Sequence, residues 1–195
     1  TEEEYKSAKA SVLDSFYTPP YIIESIYSAL KNMGFDGGNI LEPALGTGNF
    51  LGMLPQEMQS SKLYGVELDS ISGKIAKQLY QKANIKVQGY EKADLPDSFF
   101  DIAIGNVPFG DFKVNDKRYD KNNFLIHDYF FAKTLDKVRP GGVIAFITSK
   151  GTMDKASPEV RKYLAQRADL LGAIRLPDNT FTKNAGTKVT SDIIF

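Results

Sequence analysis

Residues 41–50 read L-E-P-A-L-G-T-G-N-F, and this stretch decides the fold because two glycines directly follow a short apolar run. Gly46 and Gly48 allow a tight turn and a close approach of the main chain to a ligand. The spacing differs from the dinucleotide fingerprint G-x-G-x-x-G, since Leu51 stands three positions after the second glycine. The stretch therefore predicts a strand, a ligand-binding turn and a helix, with a cofactor other than a dinucleotide.

On either side of this turn, short apolar runs alternate with segments of helical periodicity. This alternation favours a doubly wound α/β fold, with a Rossmann-like seven-stranded sheet that is mostly parallel and covered on both faces. In such sheets, ligands bind at the carboxyl ends of the strands. We predict strands over Asn39–Leu41, Lys62–Glu67, Ile85–Gln88, Phe100–Ile104, Val143–Thr148, Leu170–Leu176 and Asp192–Phe195. We predict helices over Glu2–Leu13, Pro20–Met33, Asn49–Met58, Ser70–Ala83, Phe124–Val138 and Pro158–Ala168.

The composition excludes several kinds of site. The 195 residues carry zero formal net charge, include no cysteine and contain one histidine, His127, which we expect on a helix surface. Disulfides and thiol nucleophiles are therefore excluded, and a single histidine argues against a metal centre. No apolar run approaches the ~20 residues of a membrane span and no signal peptide is visible, so we expect a cytoplasmic protein without a membrane partner.

The chain is predicted to form one globular unit with two parts. Residues 1–37 hold N-terminal helices, and residues 38–195 form the main domain. Thr18 is predicted to cap the second helix, with Pro19 in its first turn. The segment 150–190 leans basic, which suits either a nucleic-acid partner or a solvated helix face. Because the sequence begins without methionine and stops inside an apolar run, we expect a fragment of a longer protein.

Acidic side chains end three of the predicted strands. Glu42 would repel a pyrophosphate but suits the positively charged sulfonium and amino groups of S-adenosylmethionine. Glu67 follows the glycines by about 20 residues, where a carboxylate accepts both ribose hydroxyls, and Leu68 beside it can pack on the adenine ring. Asp69 is predicted to cap the next helix. Glu91 can bind the adenine amino group, although a surface turn explains this residue equally well.

A second stretch, residues 101–110, reads D-I-A-I-G-N-V-P-F-G at the end of a predicted strand. The Asn106 side chain and a nearby main-chain carbonyl can accept both N–H groups of a planar amine. This draws the nitrogen toward tetrahedral geometry and turns its lone pair toward a methyl group for in-line attack. Pro108 and Phe109 complete the turn, and the Phe109 ring can stack on an extruded base, worth ~1–3 kcal/mol. Placement of the nitrogen and the methyl group would supply most of the catalysis.

Together these residues resemble the N6-adenine DNA methyltransferases of the amino-methylating class. The resemblance implies S-adenosylmethionine as cofactor, adenine N6 in DNA as acceptor, and a C-terminal recognition region beyond this fragment. It also implies a seventh strand antiparallel to the rest, and a place in restriction–modification or on a mobile element. The matching positions are the upstream cofactor motif Tyr17, Thr18 and Pro19, the glycine motif with Glu42, Ala44, Gly46, Gly48 and Phe50, the ribose acid Glu67, and the catalytic tetrapeptide Asn106–Phe109.

Two departures from the family pattern leave alternatives open. Val107 replaces the first proline of the tetrapeptide, which loosens the backbone at Asn106. Tyr90 separates Gly89 from Glu91, where the family has an acid directly after glycine. The first alternative is a methyltransferase for another planar nitrogen, such as a glutamine amide or an RNA base. The second is a degenerate module that binds cofactor or DNA without turnover.

Overall fold

A computed structural model describes residues 18–181 and 189–195. Three predicted features lie outside the described residues, namely the helix Glu2–Leu13, the side chain of Tyr17 and the loop 182–188. The strands are β1 Asn39–Glu42, β2 Lys62–Glu67, β3 Asn84–Val87, β4 Phe100–Asn106, β5 Val138–Ser149, β6 Ala173–Arg175 and β7 Ser191–Ile194. The helices are α1 Pro20–Asn32, α2 Asn49–Gly52, α3 Ser70–Leu79, α4 Ile126–Lys137, α5 Gly151–Asp154 and α6 Glu159–Ala165.

The strands form one seven-stranded sheet in the order β3-β2-β1-β4-β5-β7-β6. Pairing is parallel throughout, except that β7 runs antiparallel to both β5 and β6. The predicted fold class is therefore confirmed, including the reversed seventh strand. Strand order changes direction between β1 and β4. The connections that follow these two strands therefore lead to opposite sides, which leaves a crevice at their carboxyl ends.

The two faces of the sheet are buried under different helices. Alternation along β5 sends Ile144 and Phe146 into one core cluster and Ala145 and Ile147 into the other. Helix α4 covers the first face, and α1 covers the second with side chains that include Ile23, which is fully buried. Helix α1 thus shares a core with the sheet.

Proline chemistry explains one broken helix and one helix cap that differ from the predictions. The predicted helix Asn49–Met58 is broken into α2 and a 3-10 turn, Gln56–Met58, because Pro55 lacks an N–H and disfavours helical backbone before it. At α1, Pro19 takes the cap position and Pro20 the first turn, while Thr18 makes no capping hydrogen bond. The predicted Thr18 cap was therefore wrong.

The predicted cap at Asp69 is confirmed, since its carboxylate accepts hydrogen bonds from the N–H groups of Ile71 and Ser72. Within the described part of the chain, no helix has the length and apolar character that crossing a membrane requires.

Candidate active site

A cavity of about 390 Å³ opens where β1, β2 and β4 end. Most of the predicted site residues meet there, although they come from five separate segments of the chain. Pro19, Gly48 and Phe109 do not line the cavity. The predicted residues that do are Thr18, Glu42, Ala44, Gly46, Phe50, Glu67, Leu68, Glu91, Asn106 and Pro108.

A shallower depression of about 550 Å³ adjoins this cavity and shares Thr18 and Asn49 with it. Its remaining lining is uncharged, and it touches neither the strand-end carboxylates nor the tetrapeptide. The chemistry of the site therefore lies in the smaller cavity.

The two glycines of the first motif have different tasks. Gly46 lies at φ +56° and Gly48 at φ +89°, which are left-handed conformations that favour glycine. A side chain at Gly46 would meet no atom within 4 Å, so open space lies above its backbone. A side chain at Gly48 would collide with the ring of Tyr80. Gly46 therefore leaves room for a ligand, and Gly48 makes room for Tyr80.

Glu67 holds the glycine turn from the end of β2. One carboxylate oxygen accepts the N–H of Gly46 at 2.6 Å, and the other accepts the N–H of Asp69 at 2.7 Å. Burial raises the pKa of Glu67 above its ordinary value, and these hydrogen bonds oppose the rise. Each oxygen keeps a second lone pair, so the carboxylate can hold the turn and still accept ribose hydroxyls.

Glu42 is a buried carboxyl group without a cationic partner. Its side chain is 2% exposed, and Oε2 has no hydrogen-bond partner in the structure. No ion pair among the described residues involves it. Burial and the neighbouring charge of Glu67 raise its pKa well above the ordinary value. A buried carboxyl group in a cavity wall, with one oxygen unpaired and no cation beside it, fits a positively charged ligand, because a cation would relieve both causes of the shift.

Asn106 ends β4 and is oriented by a residue far away in sequence. Its side-chain nitrogen donates to the Thr18 hydroxyl at 3.2 Å, so the carboxamide is oriented with its nitrogen toward Thr18. The next residue, Val107, is 2% exposed and donates its N–H to the Ile147 carbonyl at 3.0 Å. A proline at this position could not make that bond. The β4–β5 hydrogen bonds therefore restrain the backbone where the family uses a proline ring.

The sequence analysis missed an exposed aromatic residue that lines the cavity. Phe109 packs against the core cluster beneath α1, whereas Phe112 lines the cavity with 53% of its surface exposed. The Phe112 ring lies so close to Gly110 that a Cβ there would come within 2.7 Å of it. The main-chain carbonyl of Phe112 also accepts the N–H of Ile126 at 2.9 Å. In the local sequence, the absence of a side chain at Gly110 was the signal that the Phe112 ring could pack there.

The turn after β3 forms another wall. Tyr90 is 4% exposed, its ring lies 4.8 Å from that of Phe130, and its hydroxyl is 3.0 Å from the Thr134 hydroxyl. The Glu91 carboxylate lies against Gly89, where a side chain would leave it no space. The sequence analysis did not identify Val114, Ile126 and Phe130, which also line the cavity.

His127 was expected on a helix surface, and this was wrong. The side chain is 4% exposed, and neither ring nitrogen has a hydrogen-bond partner. Burial lowers its pKa, and the charge of the neighbouring Asp128 opposes that change. The structure therefore places His127 inside the fold, next to the ion pair of the fully buried Asp128 and the partly exposed Lys155.

Comparisons with known proteins give a consistent result. A family model described as N-6 DNA Methylase matches residues 3–195. Defense against restriction protein B of Escherichia phage P1 is 32% identical over 188 residues, which are 93% of this chain and 8% of that protein. Modification methylase CviBIII of Paramecium bursaria Chlorella virus NC1A is 24% identical over 199 residues, with 99% of this chain and 52% of that protein covered.

Among solved structures, a modification subunit of a putative type I restriction enzyme from Vibrio vulnificus YJ016 superposes with a TM-score of 0.72. The sequence identity is 18%, and the match covers 93% of this chain and 44% of that one, which shows a shared fold. The chain thus spans about half, or less, of the length of each of these three proteins.

Proposed function

The chain belongs to the N-6 DNA methylase family, and on that premise we propose that it transfers a methyl group from S-adenosylmethionine to N6 of adenine in DNA. One observation carries the proposal. A single cavity joins the buried carboxyl group of Glu42, whose Oε2 has no hydrogen-bond partner, and the turn held by Glu67 to the carboxamide of Asn106. Cofactor chemistry and acceptor chemistry thus share one space.

The cofactor half follows from charge and shape. S-adenosylmethionine, when bound, supplies a methyl group on a positively charged sulfur. Glu42 would face that positive charge, and Glu67 would accept the ribose hydroxyls. Leu68 and Glu91 would contact the adenine ring and its amino group. Thr18, Ala44, Gly46 and Phe50 complete this part of the wall.

The acceptor half depends on Asn106 and its neighbours. The carboxamide oxygen would accept one N–H of the target amine, and a main-chain carbonyl would accept the other. Adenine N6 needs this help because its lone pair is delocalised into the ring. Pro108 lies at the same edge of the cavity. Thr18 and the Val107–Ile147 hydrogen bond restrain Asn106, and so favour a geometry suited to in-line attack.

DNA is the proposed acceptor, because the family is one of DNA methylases. A base inside a duplex must be extruded before its amino group can enter such a cavity. The described chain has no excess of positive charge to hold a duplex, so we propose that a C-terminal recognition region of the whole protein supplies that contact.

The test measures binding before turnover. We expect calorimetric titration to show micromolar binding of S-adenosylmethionine and S-adenosylhomocysteine. Transfer of a radioactive methyl group is then measured on DNA, RNA and glutamine peptides, with adenine in DNA as the expected acceptor. Asn106→Ala should abolish transfer and leave cofactor affinity within threefold, while Asn84→Ala, at the exposed start of β3, should change neither. A folded sample that binds neither ligand would reject the proposal, and methylation of RNA or peptide alone would reject DNA as acceptor.

A further inference from the structure

Two buried lysines lie one turn apart on α4 and make similar contacts. Lys133 is 5% exposed and Lys137 is 7% exposed. Each donates to at least one main-chain carbonyl and to one aspartate. The Lys137 ammonium contacts the Leu95 carbonyl at 2.8 Å and the Asp97 carboxylate at 2.6 Å. Neither lysine lines the cavity.

Lys133 differs from Lys137 in what it joins. Its ammonium donates to the carbonyls of Tyr90 and Glu91, at 2.8 and 3.3 Å, and to the carboxylate of Asp116 at 3.1 Å. An ammonium group has three donors, so these three acceptors saturate it and define its position. Asp116 also accepts the hydroxyl of Tyr129 at 2.7 Å.

The segments joined by Lys133 form two walls of the cavity. Tyr90 and Glu91 belong to the turn after β3, and both line the cavity. Asp116 belongs to the loop that follows the tetrapeptide, and the same loop contributes Phe112 and Val114 to the lining. One buried ammonium therefore connects the β3 turn to the loop that carries the exposed aromatic ring.

The charges and hydrogen bonds of Lys133 and Asp116 favour one fixed arrangement of these two groups. Burial lowers the pKa of Lys133, and its hydrogen bond with Asp116 opposes that change. For Asp116, burial favours the neutral acid, but the hydrogen bonds from Tyr129 and Lys133 outweigh it, and its pKa lies below the ordinary value. Losing one partner would leave a buried charge uncompensated. Both groups are therefore held in place by each other.

We propose that Lys133 is a positioning residue, which sets the separation of the β3 turn and the loop 110–116 and thereby the affinity of the cavity for its cofactor. The inference rests on the proposed cofactor role of the cavity. It adds that this affinity depends on an ion pair that does not touch the cavity.

Lys137 supplies the matched control. Lys133→Met and Lys137→Met each remove one buried ammonium from the same helix face, and both should lower the midpoint of thermal unfolding. Titration with S-adenosylhomocysteine should then separate them. We expect Lys133→Met to weaken binding at least tenfold and Lys137→Met to change it less than threefold. If Lys133→Met fails to fold, Asp116→Asn tests the same link and should weaken binding in the same direction.

Several results would overturn the inference. Equal affinity losses in the two lysine variants, or an unchanged affinity in Lys133→Met or in Asp116→Asn, would show that the ion pair serves stability alone. A folded wild-type chain that does not bind S-adenosylhomocysteine would overturn the proposed function as well. If the wild type binds and the two lysine variants lose affinity equally, only the role of Lys133 is rejected.

Discussion

The side-chain nitrogen of Asn106 donates a hydrogen bond to the hydroxyl of Thr18, across 88 positions of sequence. This bond connects the segment before α1 to the end of β4, at the cavity where both residues lie. It also orients the carboxamide, with its nitrogen toward Thr18. The upstream motif thus orients a residue of the tetrapeptide in addition to lining the cavity.

Removing the Thr18 hydroxyl should slow methyl transfer more than it weakens cofactor binding. In Thr18→Val the carboxamide loses this hydrogen bond and its orientation is less restrained, so we expect the rate of methyl transfer to fall about tenfold, the scale of one hydrogen bond. Cofactor affinity should stay within threefold. Thr18→Ser keeps the hydroxyl and should retain the wild-type rate. Equal rates in the valine and serine variants would contradict the orienting role.

Neutralising Glu42 should stabilise the fold and weaken cofactor binding. The folded state holds the Glu42 proton more tightly than the unfolded chain, because burial raises its pKa above the ordinary 4.5. The wild-type free energy of unfolding therefore falls as pH rises from that value through the raised pKa. Glu42→Gln should avoid this loss, so its stability advantage should grow with pH. Its affinity for S-adenosylmethionine should drop about tenfold, or ~1.4 kcal/mol.

Urea unfolding at several pH values, paired with calorimetric titration, checks the Glu42 prediction. Glu57→Gln is the control, because the exposed Glu57 has a pKa lowered by its hydrogen bond with Lys31. That variant should gain no stability as pH rises. A Glu42→Gln variant that is less stable than wild type at neutral pH would contradict the prediction.

Two phenylalanines should separate stability from function. Phe109 packs on the core, so Phe109→Ala should lower the free energy of unfolding by about 1–3 kcal/mol. Phe112 is half exposed in the cavity wall, so Phe112→Ala should cost less than about 1 kcal/mol. Its effect should fall on ligand affinity or methyl transfer instead. Urea unfolding, ligand titration and transfer assays of both variants test this assignment. A loss of ligand affinity or methyl transfer confined to Phe109→Ala would contradict it.

Restoring the proline of the family pattern at Val107 should raise neither the stability nor the rate of methyl transfer. Val107→Pro removes the N–H that donates to Ile147, which should lower the free energy of unfolding by about 0.5–1.5 kcal/mol. Val107→Ala keeps that N–H and controls for the lost side chain. We expect the proline variant to transfer methyl groups no faster than wild type. A faster Val107→Pro variant would show that the hydrogen bond is a poor substitute for the ring.

The strands and the edge that holds the site could be predicted because their signals are local. Apolar runs of strand length predicted all seven strands, and Glu42, Glu67 and Asn106 stand at the ends of three of them. Carboxyl ends of parallel strands meet at one edge of a sheet, so the positions of these three residues in the sequence already place them near each other.

What the sequence did not show lies where periodicity gives no information. The loop 110–123 has neither helical nor strand periodicity, so nothing local indicated that Phe112 faces the cavity while Phe109 faces the core. The burial of His127 likewise depends on the packing of α4 against the end of β5.

By itself, the sequence determined the fold class, the glycine turn and the acids at the strand ends, because each depends on neighbours within one or two turns of chain. Only the tertiary structure decided how those groups are held. The Thr18–Asn106, Val107–Ile147 and Lys133–Asp116 hydrogen bonds each join different segments of the chain. Such pairs form only when the packed sheet and helices bring their backbones within reach, and no local pattern encodes that distance.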